Sequence, residues 1–307
     1  MSDDAPRRIS RAITPLSTPA VDVNAGLRFP LKPDATTALV RAALDEDQAH
    51  QDLTSIATIN KEARVRAKLV ARAPGVLAGV ALAIEAFRQL DPKVTLRIDA
   101  EDGTRLARGT EILFVSGHAR GILGAERVAL NYLQRLSGVA SLTAKYVDAV
   151  HGTGARILDT RKTTPGWRHL EKYAVRCGGG TNHRMDLAAA VLIKDNHLAA
   201  LGGDVKAAVD RARALAPAGT TVELECDTLA QVESGLAAGA DILLLDNMTL
   251  DEMRDAVERV GARAQTEASG GVRLDTVRAI AETGVTFVSV GAITHSAPAL
   301  DLALDFE

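Results

Sequence analysis

The residues able to do chemistry stand in short polar runs, each directly behind a short apolar stretch. Ala155–Leu158 leads into Asp159-Thr160-Arg161-Lys162-Thr163-Thr164-Pro165-Gly166, and Ala190–Ile193 into Lys194-Asp195-Asn196-His197. Between them lies Cys177-Gly178-Gly179-Gly180-Thr181-Asn182-His183-Arg184. Arg161, Lys162, Arg184 and Lys194, with His183 beside them, make a local cationic group. A lone Lys or Arg after a strand is ordinarily a solvated loop residue. A group of them behind two neighbouring strands reads instead as an anion site, because Arg offers a planar fork of donors to a carboxylate and Lys a compact charge.

The later apolar stretches end on different chemistry. Thr221–Leu224 carries Glu223 and Glu225, and Ala240–Leu245 ends in Asp246-Asn247. Asp246 could cap the helix expected from Leu250. Facing an anion site, however, Glu225 and Asp246 suit ribose hydroxyls and a Mg²⁺ ion that also holds phosphate oxygens, with Glu223 a third candidate. Ala264–Thr266 runs into Glu267-Ala268-Ser269-Gly270-Gly271, and Phe287–Val290 into Gly291-Ala292-Ile293-Thr294-His295. A Gly-Gly pair alone is commonly a turn. Placed before helices near Leu274 and Thr294 it fits a phosphate cup of exposed backbone N–H groups.

These runs need a frame that brings them to one edge. Short apolar strands alternate with Ala-rich helical segments at Val205–Leu215, Leu229–Ala237, Leu250–Val260 and Leu274–Glu282. Strand, helix, strand at this spacing predicts parallel strands with right-handed crossovers. The absence of Gly-x-Gly-x-x-Gly after the first strand argues for a barrel rather than an open dinucleotide-binding sheet, and six units rather than eight make it incomplete. In such barrels the strand C-terminal edge holds the active site. Upstream, Leu39–Glu46 reads as a short helix with Ile56–Asn60 as its exit, Ala63–Ala71 alternates as a half-buried strand, and Val76–Leu90 turns helical at its far end. Val94–Ile98 and Glu111–Ser116 read as further strands, so this half is an α/β layer. Glu126–Val150 is one long helix bridging the halves, with Val128, Leu130, Leu133, Leu136 and Val139 at helical spacing.

Bulk composition narrows the classes. The chain has 307 residues, 47% hydrophobic and only 3% aromatic, with a formal net charge of -3. Aliphatic side chains must therefore fill the core, and there is no global pull towards nucleic acid or membrane. No apolar run approaches a membrane span. Cys177 and Cys226 have no metal-ligand spacing and point to a reducing, cytoplasmic setting. Residues 1–27 read as a disordered lead-in, 28–135 as the first domain and 136–307 as the barrel domain, whose end could pack back on the first.

Taken in order, these motifs resemble quinolinate phosphoribosyltransferase, the decarboxylating nicotinate-nucleotide pyrophosphorylase family of NAD biosynthesis. The likeness includes Asp52-Leu53-Thr54-Ser55, Ala73-Pro74-Gly75-Val76-Leu77-Ala78-Gly79, Glu126-Arg127 and Asn131 to Ala140, and is densest from Asp159 to His197. It implies an N-terminal α/β sandwich with a C-terminal incomplete barrel, and a homodimer in which Arg127 crosses to the other subunit's site. It further implies that Arg161, Lys162, His183, Arg184 and Lys194 line a quinolinate pocket. Lys194, Glu225, Asp246, Ser269, Gly270, Gly271, Gly291 and His295 would hold phosphoribosyl pyrophosphate, with Mg²⁺ as cofactor. Lys162, Lys194, Glu225 and Asp246 are the expected catalytic groups. One departure stands out: Ala188-Ala189-Ala190 occupies a stretch where many members have an acid before the lysine, with Asp186 nearby. A phosphoribosyltransferase-like paralogue of molybdenum-transport loci, a nicotinate phosphoribosyltransferase and a non-catalytic sugar-phosphate binder are the competing readings.

Overall fold

The computed structural model describes residues 26–307; the lead-in expected at the N-terminus falls almost wholly outside them. The first half contains α1 (Pro33–Glu46), α2 (Leu53–Thr58), β1 (Arg64–Ala71), β2 (Gly75–Val76), α3 (Val80–Leu90), β3 (Thr95–Ile98), β4 (Arg105–Leu106) and β5 (Glu111–His118). Ile56–Asn60, expected as an exit, is largely the helix α2, which Asp52 caps by accepting from the Thr54 and Ser55 N–H groups. The capping carboxylate satisfies two of the donors that a helix start leaves unpaired. Antiparallel β1, β5 and β3 pair side by side, with α3 packed between this layer's helices and α4 (Ala119–Ala149).

Helix α4 starts seven residues ahead of the expected Glu126. Its first turns contain Gly121 and Gly124, where a Cβ would come within 3.1 Å of the Leu90 carbonyl and 2.9 Å of the Ala49 carbonyl, so these glycines allow close approach. The second half alternates β6 (Arg156–Leu158), α5 (Arg168–Cys177), β7 (Val191–Ile193), α6 (Asp195–Ala200), α7 (Val205–Leu215), β8 (Val222–Cys226), α8 (Leu229–Ala238), β9 (Ile242–Asp246), α9 (Leu250–Val260), β10 (Gln265–Ser269), α10 (Val277–Ala281), β11 (Phe287–Ser289) and α11 (Ala292–His295). Six parallel strands lie in the order β6-β11-β10-β9-β8-β7. The end strands β6 and β7 are not paired to each other, which leaves the barrel open on that side. Thr181 fills part of the opening by a parallel bridge to Leu158, so the segment after α5 stands beside β6.

The two halves interlock. The last strand, β12 (Leu302–Phe306), leaves the barrel and pairs antiparallel with β1, completing a four-stranded sheet of order β12-β1-β5-β3. Helix α4 packs on α3 and on α5, and the chain crosses it so closely that a Cβ on Gly138 would overlap the Pro298 carbonyl. One buried aliphatic core runs from Leu69 and Leu113 through Leu133 and Leu136 to Leu224 and Leu245. No helix among the described residues is long and apolar enough to cross a membrane.

Candidate active site

The polar runs behind β6 to β10 converge on one cavity at the strand C-terminal edge, about 680 Å³ in volume. Its lining includes Arg161, Lys162, His183, Arg184, Lys194, Glu225, Asp246, Ser269, Gly270 and Gly271, most of the residues singled out by sequence. Gly291 and His295 do not line it. They stand behind Lys162: a Cβ on Gly291 would sit 3.2 Å from the Lys162 side chain and 3.2 Å from the His295 ring. Arg127 is exposed on α4 and also outside the lining. Helix α10 begins at Val277, three residues later than the Leu274 start expected, so its dipole stands further from Gly270-Gly271.

One side of the cavity is cationic and unneutralised. The nearby ion pairs are Lys194–Glu225 and Lys172–Asp159, and none among the described residues takes in Arg161, Lys162 or Arg184. The Nε of Arg161 is buried without an acceptor, and a buried unpaired donor is costly until a ligand meets it. Burial first, and the Arg161 charge next, push the Arg184 pKa down. Its guanidinium is aimed by a 3.0 Å bond to the Ala190 carbonyl, while Asp186, beside the Ala188–Ala190 run, accepts from the Ala188 and Ala189 N–H groups. An anion between Arg161 and Arg184 would relieve both groups at once.

The other side is acidic and glycine-rich. Strands β8 and β9 are neighbours, so Glu225 and Asp246 arrive together at the edge. Lys194 donates to Glu225, and Asn247 donates to Asp246 at 2.6 Å. Each carboxylate keeps an oxygen outside these bonds, a donor set that suits Mg²⁺ bound by one or two carboxylates and completed by substrate oxygens. Asp246 pairs in register with Ser269, which brings the Gly270-Gly271 turn to the same place. Gly270 has φ +92°, and a Cβ there would overlap the Asn247 side chain.

Sequence left open which of Glu223 and Glu225 faces the mouth; alternation along β8 puts both inside the barrel, with Glu223 one layer deeper and 3% exposed. There it meets His183 Nε2 at 3.2 Å, with Glu267 3.6 Å from the same nitrogen. These polar atoms lie within 4.8 Å of one another, a spacing that could hold a metal. The ring decides against it. His183 Nδ1 accepts the Arg184 N–H at 2.7 Å, so Nε2 carries the proton and has no lone pair for an ion. Burial works against charge on His183, the two glutamates outweigh it, and its pKa lies above the usual histidine value. Burial first, and the Glu223 charge next, push the Glu267 carboxyl up to about 8. Glu223 Oε1 and Glu267 Oε2 are both buried without partners. A second ring proton would meet the Arg184 N–H, whereas a proton on Glu267 directed at Glu223 would give both orphaned oxygens a partner. Ser289 donates to the other Glu267 oxygen. Glu267 thus enters the site as a buried carboxyl held well above the usual glutamate range, a feature that its place in the sequence run did not suggest.

Two sequence-family models match most of the chain: the quinolinate phosphoribosyl transferase N-terminal domain matches residues 52–137 and its C-terminal domain residues 139–305. The nicotinate-nucleotide pyrophosphorylase [carboxylating] of Mycobacterium leprae is 45% identical over 280 residues, covering 89% of this chain and 97% of that protein. A Bacillus subtilis relative, named a probable nicotinate-nucleotide pyrophosphorylase [carboxylating], is 42% identical over 260 residues, 85% of this chain and 89% of its own. The solved structure of the nicotinate-nucleotide pyrophosphorylase from Francisella tularensis superposes with a TM-score of 0.85 at 38% identity, over 91% of this chain and 99% of that one.

Proposed function

The chain belongs to the quinolinate phosphoribosyltransferase family, and we propose that its cationic wall and acidic edge divide the two substrates of that reaction between them. The protein transfers the phosphoribosyl group of phosphoribosyl pyrophosphate to quinolinate with loss of CO₂, giving nicotinate mononucleotide and pyrophosphate. The observation behind the division is the pair of unneutralised guanidinium groups, Arg161 and Arg184, beside Lys162, opposite Glu225, Asp246 and the Gly270-Gly271 turn. Quinolinate's two carboxylates fit the first group. The ribose hydroxyls and phosphates of the donor fit the second, with Lys194 between them, held by Glu225.

The pyridine nitrogen attacks the anomeric carbon, the C–O bond to pyrophosphate breaks, and positive charge builds on the sugar ring. No protein nucleophile is needed; holding mutually repelling anions in line is most of the catalysis. Glu225 and Asp246 orient the ribose hydroxyls and stabilise that positive charge. They would also hold Mg²⁺, which when bound offsets charge on the departing pyrophosphate. The carboxylate next to the quaternised nitrogen then leaves as CO₂, its bonding pair staying on the ring carbon until a proton arrives. Lys162, which has no ion-pair partner among the described residues, is the better-placed cation to stabilise that carbanion; Lys194 is occupied by Glu225.

His183 acts from beneath, fixing Arg184 through their shared hydrogen bond rather than offering a free ring nitrogen. Arg127, outside the cavity of its own chain, is assigned to the partner's site in a homodimer. Cytoplasmic residence completes the proposal, and two buried free thiols, Cys177 and Cys226, suit it. The division is tested by paired kinetics. Arg161→Ala should raise KM for quinolinate and cut kcat/KM by the equivalent of about 2–5 kcal/mol, the cost of losing one desolvated charge partner. Asp246→Asn should instead weaken phosphoribosyl pyrophosphate. Equal effects on both substrates from each variant would sink it.

A further inference from the structure

Helix α5 buries charged residues that touch none of the cavity. Glu171 and Lys172 are both 0% exposed, an unusual cost inside an otherwise aliphatic core. Glu171 Oε2 accepts the Thr164 N–H at 3.0 Å, and Oε1 accepts the Thr164 hydroxyl at 2.8 Å and Arg135 at 2.7 Å. The Arg135 guanidinium, on α4, also donates to the Thr294 carbonyl at 2.6 Å and the Ala297 carbonyl at 3.0 Å. Thr294 in turn donates its hydroxyl to the Lys162 carbonyl at 2.8 Å.

Lys172 does the same for a different segment. Its amino group donates to Asp159 and, at 2.9 Å, to the His183 carbonyl. Asp159 Oδ1 accepts the His183 N–H at 2.9 Å, and Asn182 donates to Asp159 at 2.7 Å and to the Lys172 carbonyl at 2.8 Å. At the head of the helix, Arg168 bridges the two segments, donating to the Thr163 hydroxyl at 3.1 Å and to the Met185 carbonyl at 3.3 Å.

The segments fixed in this way are Asp159–Thr164, Asn182–Met185 and Thr294–Ala297. They carry Arg161 and Lys162, His183 and Arg184, and the support behind Lys162. We propose that Glu171 and Lys172 are positioning residues for the phosphoribosyl transfer, setting the spacing of the cations from inside α5 without touching substrate. The physical argument is one of alternatives. A buried ion pair adds little stability over well-packed apolar residues of similar volume, so stability alone does not call for Lys172–Asp159 or Arg135–Glu171. What such groups supply is a defined direction for backbone N–H and C=O groups that no strand pairs. Loops left to themselves would let mutually repelling Arg161 and Arg184 move apart, and misplacement by about 1 Å costs on the order of a hundredfold in rate.

The inference rests on the substrate division above, so wild-type enzyme is assayed first: failure to turn over quinolinate would defeat that reading, not this one. Glu171→Gln keeps the side-chain shape but turns an amide NH₂ towards groups that are themselves donors. Although the lost charge lowers the melting temperature, the folded variant should show KM for quinolinate raised about tenfold or more, with KM for phosphoribosyl pyrophosphate changed much less. Replacing Asp159 and Lys172 together, by Leu and Met, removes both buried charges at once and should leave a folded protein with the same selective rise in quinolinate KM. A positioning role is refuted if Glu171→Gln keeps both KM values near wild type. It is equally refuted if activity falls only in step with the folded fraction, KM values being unchanged. Should the double variant fail to fold, Glu171→Gln decides the matter by itself.

Discussion

Replacing Glu267 by glutamine should flatten the pH dependence of stability between pH 5 and 7.5. The native carboxyl, 1% exposed and facing Glu223, has its pKa pushed up to about 8, whereas an unperturbed glutamate titrates near 4.5. Over the interval between those values the folded protein keeps a proton that the unfolded chain has released. Stability contributed by the group is therefore fully present below pH 4.5 and is lost as pH rises towards 8, at about 1.4 kcal/mol per pH unit. From pH 5 to 7.5 this amounts to about 3 kcal/mol at most. Glutamine preserves the shape and presents an N–H where the acid presents its O–H, so the bond to Glu223 survives without a titrating proton. His183, Glu223, Ser289 and the nearby Lys172 face this position in both proteins, so the comparison changes only the group at 267. Urea unfolding at half-unit pH steps measures the effect. Wild type should lose ground against Glu267→Gln as pH rises, with unchanged m-values. Parallel stability curves for the two proteins would refute the assignment of the proton to Glu267.

Gly270, in the turn at the acidic edge, and Gly291, behind Lys162, should differ. Gly270→Ala adds a Cβ at φ +92° against the Asn247 side chain that bonds Asp246, and should raise KM for phosphoribosyl pyrophosphate by at least tenfold while also lowering the melting temperature. Gly291→Ala, whose Cβ would lie 3.2 Å from the flexible ends of Lys162 and His295, should cost no more than a few-fold in kcat/KM.

Elements with local signals were legible in the sequence. Helices α7 and α9 begin and end where apolar spacing places them, because Asp204 caps one and a Thr249–Glu252 capping box opens the other. The strands β8 and β9 announce themselves as apolar runs and deliver their carboxylates to the edge. Helix α5 gave no such signal: its inward face includes Glu171 and Lys172, so burial and hydrophobicity part company there. A return of the chain's end to the first domain is an expectation from sequence, but that it forms strand β12 beside β1 depends on pairing across the whole chain, which no local pattern reveals. The cavity's cations and acids could be named from residue type and position behind strands. Which of them are free and which are tied, Lys162 against Lys194 for example, follows only from the packing of segments far apart in sequence. The same holds for Glu267, whose carboxyl is pushed up by burial first and by the Glu223 charge from another strand next, against the pull of His183.

The central claim is that this cavity joins phosphoribosyl pyrophosphate to a dicarboxylate and then removes the carboxylate beside the new bond. Its most direct test supplies the purified protein with Mg²⁺, phosphoribosyl pyrophosphate and quinolinate labelled in the carboxyl next to the ring nitrogen. The account predicts labelled CO₂, pyrophosphate and nicotinate mononucleotide in equal amounts, and no product when nicotinate replaces quinolinate. Product from nicotinate alone, or none from either by a folded protein that still binds phosphoribosyl pyrophosphate, would contradict it.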